Sequence, residues 1–134
     1  MPVWEEDGFM VCQSSAILRM LGIRYGYYPE DPMQAWACDS IVDFLEDLTG
    51  KYVGVLFDVN NAEKQEGWFT NYWDKVLPVI EARLAHGKTF IAGTDRPTIC
   101  DFKAFSVQIA WDTECNRDGV EMGMEVQQRL KQLM

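Results

Sequence analysis

The sequence predicts a mostly α-helical protein that opens on a small β-β-α unit. Three observations carry that expectation. The first dozen residues alternate and turn as a hairpin does, a segment holding two prolines follows at 27–32, and the chain beyond it repeats its apolar residues at steps of three and four. The hairpin, the linker and the helical pattern are taken in that order.

Pro2-Val3-Trp4 reads as a short strand, Glu5-Glu6-Asp7-Gly8 as a turn and Phe9-Met10-Val11-Cys12 as a second strand. Gln13-Ser14-Ser15 then leads into a helix. Ser14 or Ser15 can cap it, Ile17, Leu18 and Leu21 form its apolar face, and Gly22 is its expected end. After the linker, a long helix is marked by Met33, Trp36, Ile41, Phe44, Leu45, Leu48, Tyr52, Val55 and Leu56, and Asn60-Asn61 break it. A second follows on Phe69, Tyr72, Trp73, Val76, Leu77, Ile80 and Leu84, with Pro78 as a kink and Gly87 as a stop. Thr98-Ile99-Cys100-Asp101 has the spacing of a capping box, with Asp where Glu or Gln is usual. The helix it opens, through Phe102, Ala104, Phe105, Val107, Ile109, Ala110 and Trp111, is apolar nearly all round and is expected to be buried on most sides. Met122, Val126, Leu130 and Leu133 line a last amphipathic segment.

Bulk properties narrow the function. With 134 residues, 48% of them apolar, the chain can bury a substantial core. Its formal charge of -9 repels phosphate backbones, so nucleic acid is not an expected partner. Cys12, Cys38, Cys100 and Cys115 are widely spaced, without a CxxC pair and with one histidine in the chain, which argues against a zinc site or a redox disulfide. The N-terminus lacks a basic region followed by an apolar run, and no apolar stretch approaches the length of a membrane span. A reducing, cytoplasmic setting with free thiols is the expectation.

Several ordered motifs carry a family resemblance over about residues 1 to 105. Pro2-Val3-Trp4-Glu5 through Gln13-Ser14-Ser15-Ala16-Ile17-Leu18-Arg19-Met20-Leu21-Gly22 resembles the second half of the thioredoxin-like domain of the cytosolic glutathione transferases. Glu46-Asp47-Leu48 with Lys51-Tyr52, Lys88-Thr89-Phe90-Ile91-Ala92-Gly93 and Thr98-Ile99-Cys100-Asp101-Phe102 resemble the helical domain of the pi, mu, alpha and sigma branch. The resemblance implies a partial glutathione-binding unit at 1–28, a β-hairpin plus helix, and an all-α C-terminal domain at 29–134. The family's first strand, which carries the tyrosine or serine that activates the thiol, has no counterpart in this sequence, so the chain reads as truncated and no catalytic residue is assigned.

The resemblance also implies roles for particular residues. Gln13 and Ser14 would bind the γ-glutamyl group of glutathione; an amide, a hydroxyl and free helix-start N–H groups suit a group bearing a carboxylate and an ammonium. The alternative is a strand-end polar residue beside an ordinary N-cap. Pro2 would be the family's cis-proline, and Met1 before it would offer main chain to the cysteinyl part. Asp47 would reach the partner subunit's ligand across a dimer, although an acidic stripe such as Asp39, Asp43, Glu46 and Asp47 also reads as a solvated face. Phe57 matches an aromatic of the electrophile pocket, or is core. Thr98 and Asp101 are a structural cap, His86 reads as a surface residue, the tryptophans as core and interface, and Cys12 as buried and inert or as a thiol beside the ligand.

Glutathione, or a similar small thiol peptide, is the implied substrate, with no metal, and a homodimer or a larger assembly the implied state. The ancestral reaction is addition of the glutathione thiolate to an electrophilic carbon, expected to be weak or absent in this chain alone. The alternative is a non-catalytic scaffolding subunit that docks through its bundle and its exposed sheet edge.

Overall fold

The structure, a computed structural model, describes residues 2–56, 75, 78–85 and 89–107. It is mostly helical, with one two-stranded sheet: β1 (Val3–Glu6), β2 (Phe9–Cys12), α1 (Ser14–Tyr25) and α2 (Pro32–Leu56). Helix also covers 78–84 (α3) and 99–107 (α4). The β-β-α unit followed by helices is the expected architecture.

The hairpin is tighter than the sequence suggested. Glu5 and Glu6 are paired strand residues, opposite Met10 and Phe9, and only Asp7 and Gly8 turn. Both have positive φ, 51° and 78°, the backbone of a two-residue type I′ loop, whose twist matches that of the strands. The directly opposed Trp4 and Val11 are the hairpin's half-buried pair. The remaining strand positions are exposed, among them Phe9 and Met10.

Gly22 does not end α1. The helix runs to Tyr25, and Gly26, left-handed at φ 76°, terminates it by donating its N–H to the Gly22 carbonyl. Gly22 is instead a contact point: a Cβ there would lie 2.4 Å from Ile99 Cγ2, so only glycine lets α1 approach α4 this closely. The linker contains the start signal of α2. Asp31 Oδ1 accepts the N–H groups of Met33 and Gln34 at 3.0 and 2.9 Å, and Pro32 occupies the first helical position, where a missing N–H costs nothing.

The core lies between α2, the 89–98 connection and α4. Ile41, Val42, Leu45 and Cys38 of α2 meet Ile91, Ala92, Ile99, Cys100 and Val107, and α1 adds Leu18 at the edge. Fully buried side chains such as Ile41, Leu45 and Ile99 each stabilise the fold by about 1.5–3 kcal/mol relative to exposure. Two expectations fail here. Met33 and Trp36 open the long helix exposed rather than in the core, and Arg83 of α3 sits 5.7 Å over the Trp36 ring. Phe102 and Phe105 likewise face outward from α4, so its described part is buried on one side only; the Phe102 ring meets Tyr27 edge-on at 5.2 Å.

Candidate functional site at the start of the first helix

Gln13 stands where β2 ends and α1 begins, with φ 77° and ψ 107°. A positive φ outside glycine stores roughly 1–3 kcal/mol of strain. The strained turn swings the chain from strand to helix in one residue, and the Gln13 carbonyl at once accepts the Ile17 N–H at 2.9 Å. The side chain is exposed, makes no capping hydrogen bond, and leaves the first N–H groups of α1 without a side-chain partner. The expected serine cap is therefore absent. Ser14 and Ser15 are already helical, and their hydroxyls turn to α2 instead.

There they meet Glu46. Ser14 Oγ donates to Glu46 Oε1 at 3.4 Å and Ser15 Oγ to Oε2 at 3.2 Å, while the Lys103 ammonium of α4 donates to the same carboxylate. Three helices converge on one acid. The Lys103 ammonium holds the Glu46 carboxyl below its usual range, with both serines helping and burial opposing. Two turns earlier on α2, Asp39 accepts Arg19 Nε at 2.8 Å and Tyr28 Oη at 2.7 Å, and Arg19 also reaches Asp43 at 3.6 Å. The acidic stripe is thus not merely solvated: Asp39, Asp43 and Glu46 all tie α2 to α1.

The predicted site residues separate into groups. Gln13 and Ser14 are adjacent and near Glu46. Asp47 lies on α2 next to Glu46 but is exposed, and no described residue bonds to it. Pro2 is exposed at the hairpin's start, and Met1 and Phe57 lie outside the described residues, as do His86, Trp68, Trp73, Trp111 and Cys115. Cys12, expected to be buried, is exposed at the end of β2. Sequence reasoning missed Glu46 and Lys103, because 31 and 57 residues separate Glu46 from Ser15 and from Lys103 and no local pattern links them.

Thr98 and Asp101 sit at the opposite end of α1. Asp101 Oδ2 accepts the Thr98 N–H at 2.8 Å, as a capping box requires, and Oδ1 accepts the Ile91 N–H at 3.0 Å, tying the preceding loop to the helix start. The Thr98 hydroxyl also gives its proton to Asp101, at 3.0 Å. Ile99 N–H reaches the Tyr27 carbonyl at 3.0 Å. Above this cap is an open hollow of about 530 Å³ bordered by Tyr28, Glu30, Asp31, Gln34, Asp95 and Arg96. Of the predicted site residues only the structural Thr98 touches it, and the 12 residues of α1, about 18 Å of helix, separate it from Gln13. This hollow and the predicted ligand contacts are different places. Among the described residues no group of His, Cys, Asp and Glu could hold a metal ion, and no helix is long and apolar enough to cross a membrane.

No family model matches the chain. Curated proteins do. Glutathione S-transferase P of Homo sapiens and of Bos taurus are each 30% identical over 105 residues, covering 76% of this chain and 49% of the relative. Glutathione S-transferase 2 of Manduca sexta is 38% identical over 65 residues, 48% of this chain and 32% of the relative. The chain spans about half the length of the glutathione S-transferases P that it matches.

Proposed function

The chain is related to the glutathione S-transferases, and from that relationship we propose that it holds the γ-glutamyl end of glutathione at the junction of β2 and α1. The observation that carries this reading is Gln13: an exposed amide on a strained backbone, beside a helix start whose N–H groups no side chain caps. Donors of that kind suit the carboxylate of the γ-glutamyl group, and Ser14 adds a hydroxyl. Glu46, already within reach of Ser14, is an acid that can meet the ammonium. Asp47, exposed on α2, takes the cross-subunit role if the chain forms a homodimer. In this reading 1–28 is the ligand-binding unit, 29–134 the helical domain, Met1 and Pro2 frame the cysteinyl part, Phe57 belongs to the electrophile pocket, and the protein works in the cytoplasm.

Conjugation by this chain alone is weak or absent. Thiol activation needs a donor within hydrogen-bond reach of the sulfur and a pKa suited to neutral pH. Tyr25, Tyr27 and Tyr28 cluster at the far end of α1. The Tyr28 hydroxyl is bound to Asp39, and burial first, then that carboxylate, pushes its pKa up to about 12. The names of the relatives lend no support to the scaffolding alternative.

The test is retention on immobilised glutathione, with elution by free glutathione, alongside conjugation of a generic chloronitrobenzene. The chain should be retained and should conjugate at a rate close to the uncatalysed background. Gln13→Ala and Ser14→Ala should each cut retention at least fivefold with the helical circular dichroism unchanged. Retention that survives both substitutions would remove the site from this junction.

A further inference from the structure

The sequence separates its cysteines widely, but the fold brings two of them together. Cys38 of α2 and Cys100 of α4 are both fully buried, at 0% exposure. Cys38 Sγ donates to Thr98 Oγ1 at 3.6 Å, and the same oxygen lies 3.2 Å from Cys100 Sγ. The Thr98 proton is on Asp101, so the Thr98 oxygen accepts the Cys38 thiol, and Cys100 Sγ has that same oxygen and, at 3.9 Å, Asp101 Oδ2 within reach. Two sulfurs 3.6 and 3.2 Å from a single oxygen are neighbours.

We propose that Cys38 and Cys100 form an oxidisable dithiol that closes to a disulfide with hydrogen peroxide or another small hydroperoxide. The first step is attack of the Cys38 sulfur, as thiolate, on a peroxide oxygen. The O–O bond breaks, Cys38 becomes a sulfenic acid, and hydroxide leaves as water after taking up the thiol's proton. The Cys100 sulfur then attacks the Cys38 sulfur, the S–O bond breaks, and a second water leaves. Two thiols and one peroxide thus give one disulfide and two waters. Cys38 is the more acidic partner, chiefly because the Cys100 thiol hydrogen-bonds to its sulfur, and Cys100 is correspondingly pushed up by Cys38 and by burial. That order assigns Cys38 as the attacking sulfur and Cys100 as the resolving one. Closing the bond to about 2.05 Å consumes both thiol protons beside the Thr98 hydroxyl, so the cap of α4 registers the change. Burial selects the oxidant: a small peroxide enters by local opening, whereas a bulky aromatic disulfide reagent is confined to exposed thiols such as Cys12.

The experiment treats the native, full chain with graded hydrogen peroxide, alkylates it in denaturant and maps the peptides by mass. Expected is a Cys38–Cys100 linked peptide lighter by two hydrogens, cleaved by dithiothreitol, and absent when the aromatic disulfide replaces the peroxide. Cys100→Ala should abolish the link and leave Cys38 over-oxidised, and Cys38→Ala should leave Cys100 reduced. The proposal falls if both residues stay fully alkylatable at doses that oxidise Cys12. It also falls if either residue pairs instead with Cys12 or Cys115. The linked peptide in unsubstituted protein needs no variant to fold, and none of these readouts depends on glutathione binding.

Discussion

At its start α1 is held by exposed charge and hydroxyl groups; at its end it is held by packing and a buried cap. Ser14 and Ser15 reach a Glu46 carboxylate whose side chain is 46% exposed, whereas Gly22 lies against Ile99 with no space for a methyl group and Thr98 is buried beneath. The same helix thus has a soft, titratable end and a rigid end. Hydrogen bonds that compete with water hold weakly and exchange readily, and those sealed from it are costly to break. A ligand can rearrange the first end; the second keeps the β-β-α unit on the bundle while it does so.

Substitutions at the two ends should break that contrast by different amounts. Asp101→Ala removes the acceptor of two backbone N–H groups, the Thr98 hydroxyl and the Cys100 thiol, and should lower unfolding free energy by about 2–4 kcal/mol in urea titration. Asp101→Asn should recover part of the loss. Gly22→Ala drives a methyl group into Ile99, and overpacking should cost about 1–3 kcal/mol even after the alanine's helix propensity is counted. Shortening the opposing side chain with Ile99→Val in the Gly22→Ala background tests the cause, since it keeps the clashing Cγ2: no rescue is expected, whereas Ile99→Ala should relieve the clash and lower the coupling measured by a double-mutant cycle.

The two pH responses should be smaller and opposite in direction. Tyr28 has a raised pKa in the fold, so its contribution is complete below its ordinary value of 10.0 and disappears as pH climbs toward about 12. Tyr28→Phe should flatten stability over that interval and lower it by about 1 kcal/mol at neutral pH through the lost bond to Asp39. Glu46 has a lowered pKa, so its contribution is complete above 4.5 and is lost as pH falls through the depressed value. Because the Glu46 side chain is nearly half exposed, Glu46→Gln should reduce this acid-side loss by less than about 1 kcal/mol.

Much of the local structure was legible in the residues. Asp-Gly specifies a hairpin turn because both residues tolerate positive φ, and the two flanking segments pair across it. The Thr98–Asp101 spacing identified a helix start because the capping geometry spans only three residues. Gln13 and Ser14 were located at the junction, but the serine was misassigned as a cap. A left-handed residue at the boundary moves the helix start one position earlier, and composition does not report φ. Gly22 was read as a terminator because sequence shows that a side chain is missing, not which neighbour needs the space. Trp36 and Phe102 were placed inside on hydrophobicity alone, although exposure depends on what happens to cover them.

The residues by themselves determined the order of elements, the hairpin turn, the Thr98–Asp101 cap and the kinship to glutathione S-transferases. Each rests on interactions among neighbours within a few positions, or on ordered motifs that comparison can match. Only the tertiary structure brought Glu46 to Ser14, Ser15 and Lys103, and Cys38 to Cys100. Such meetings are set by how α1, α2 and α4 pack around one core, and the chain separation between partners erases any periodic trace of them.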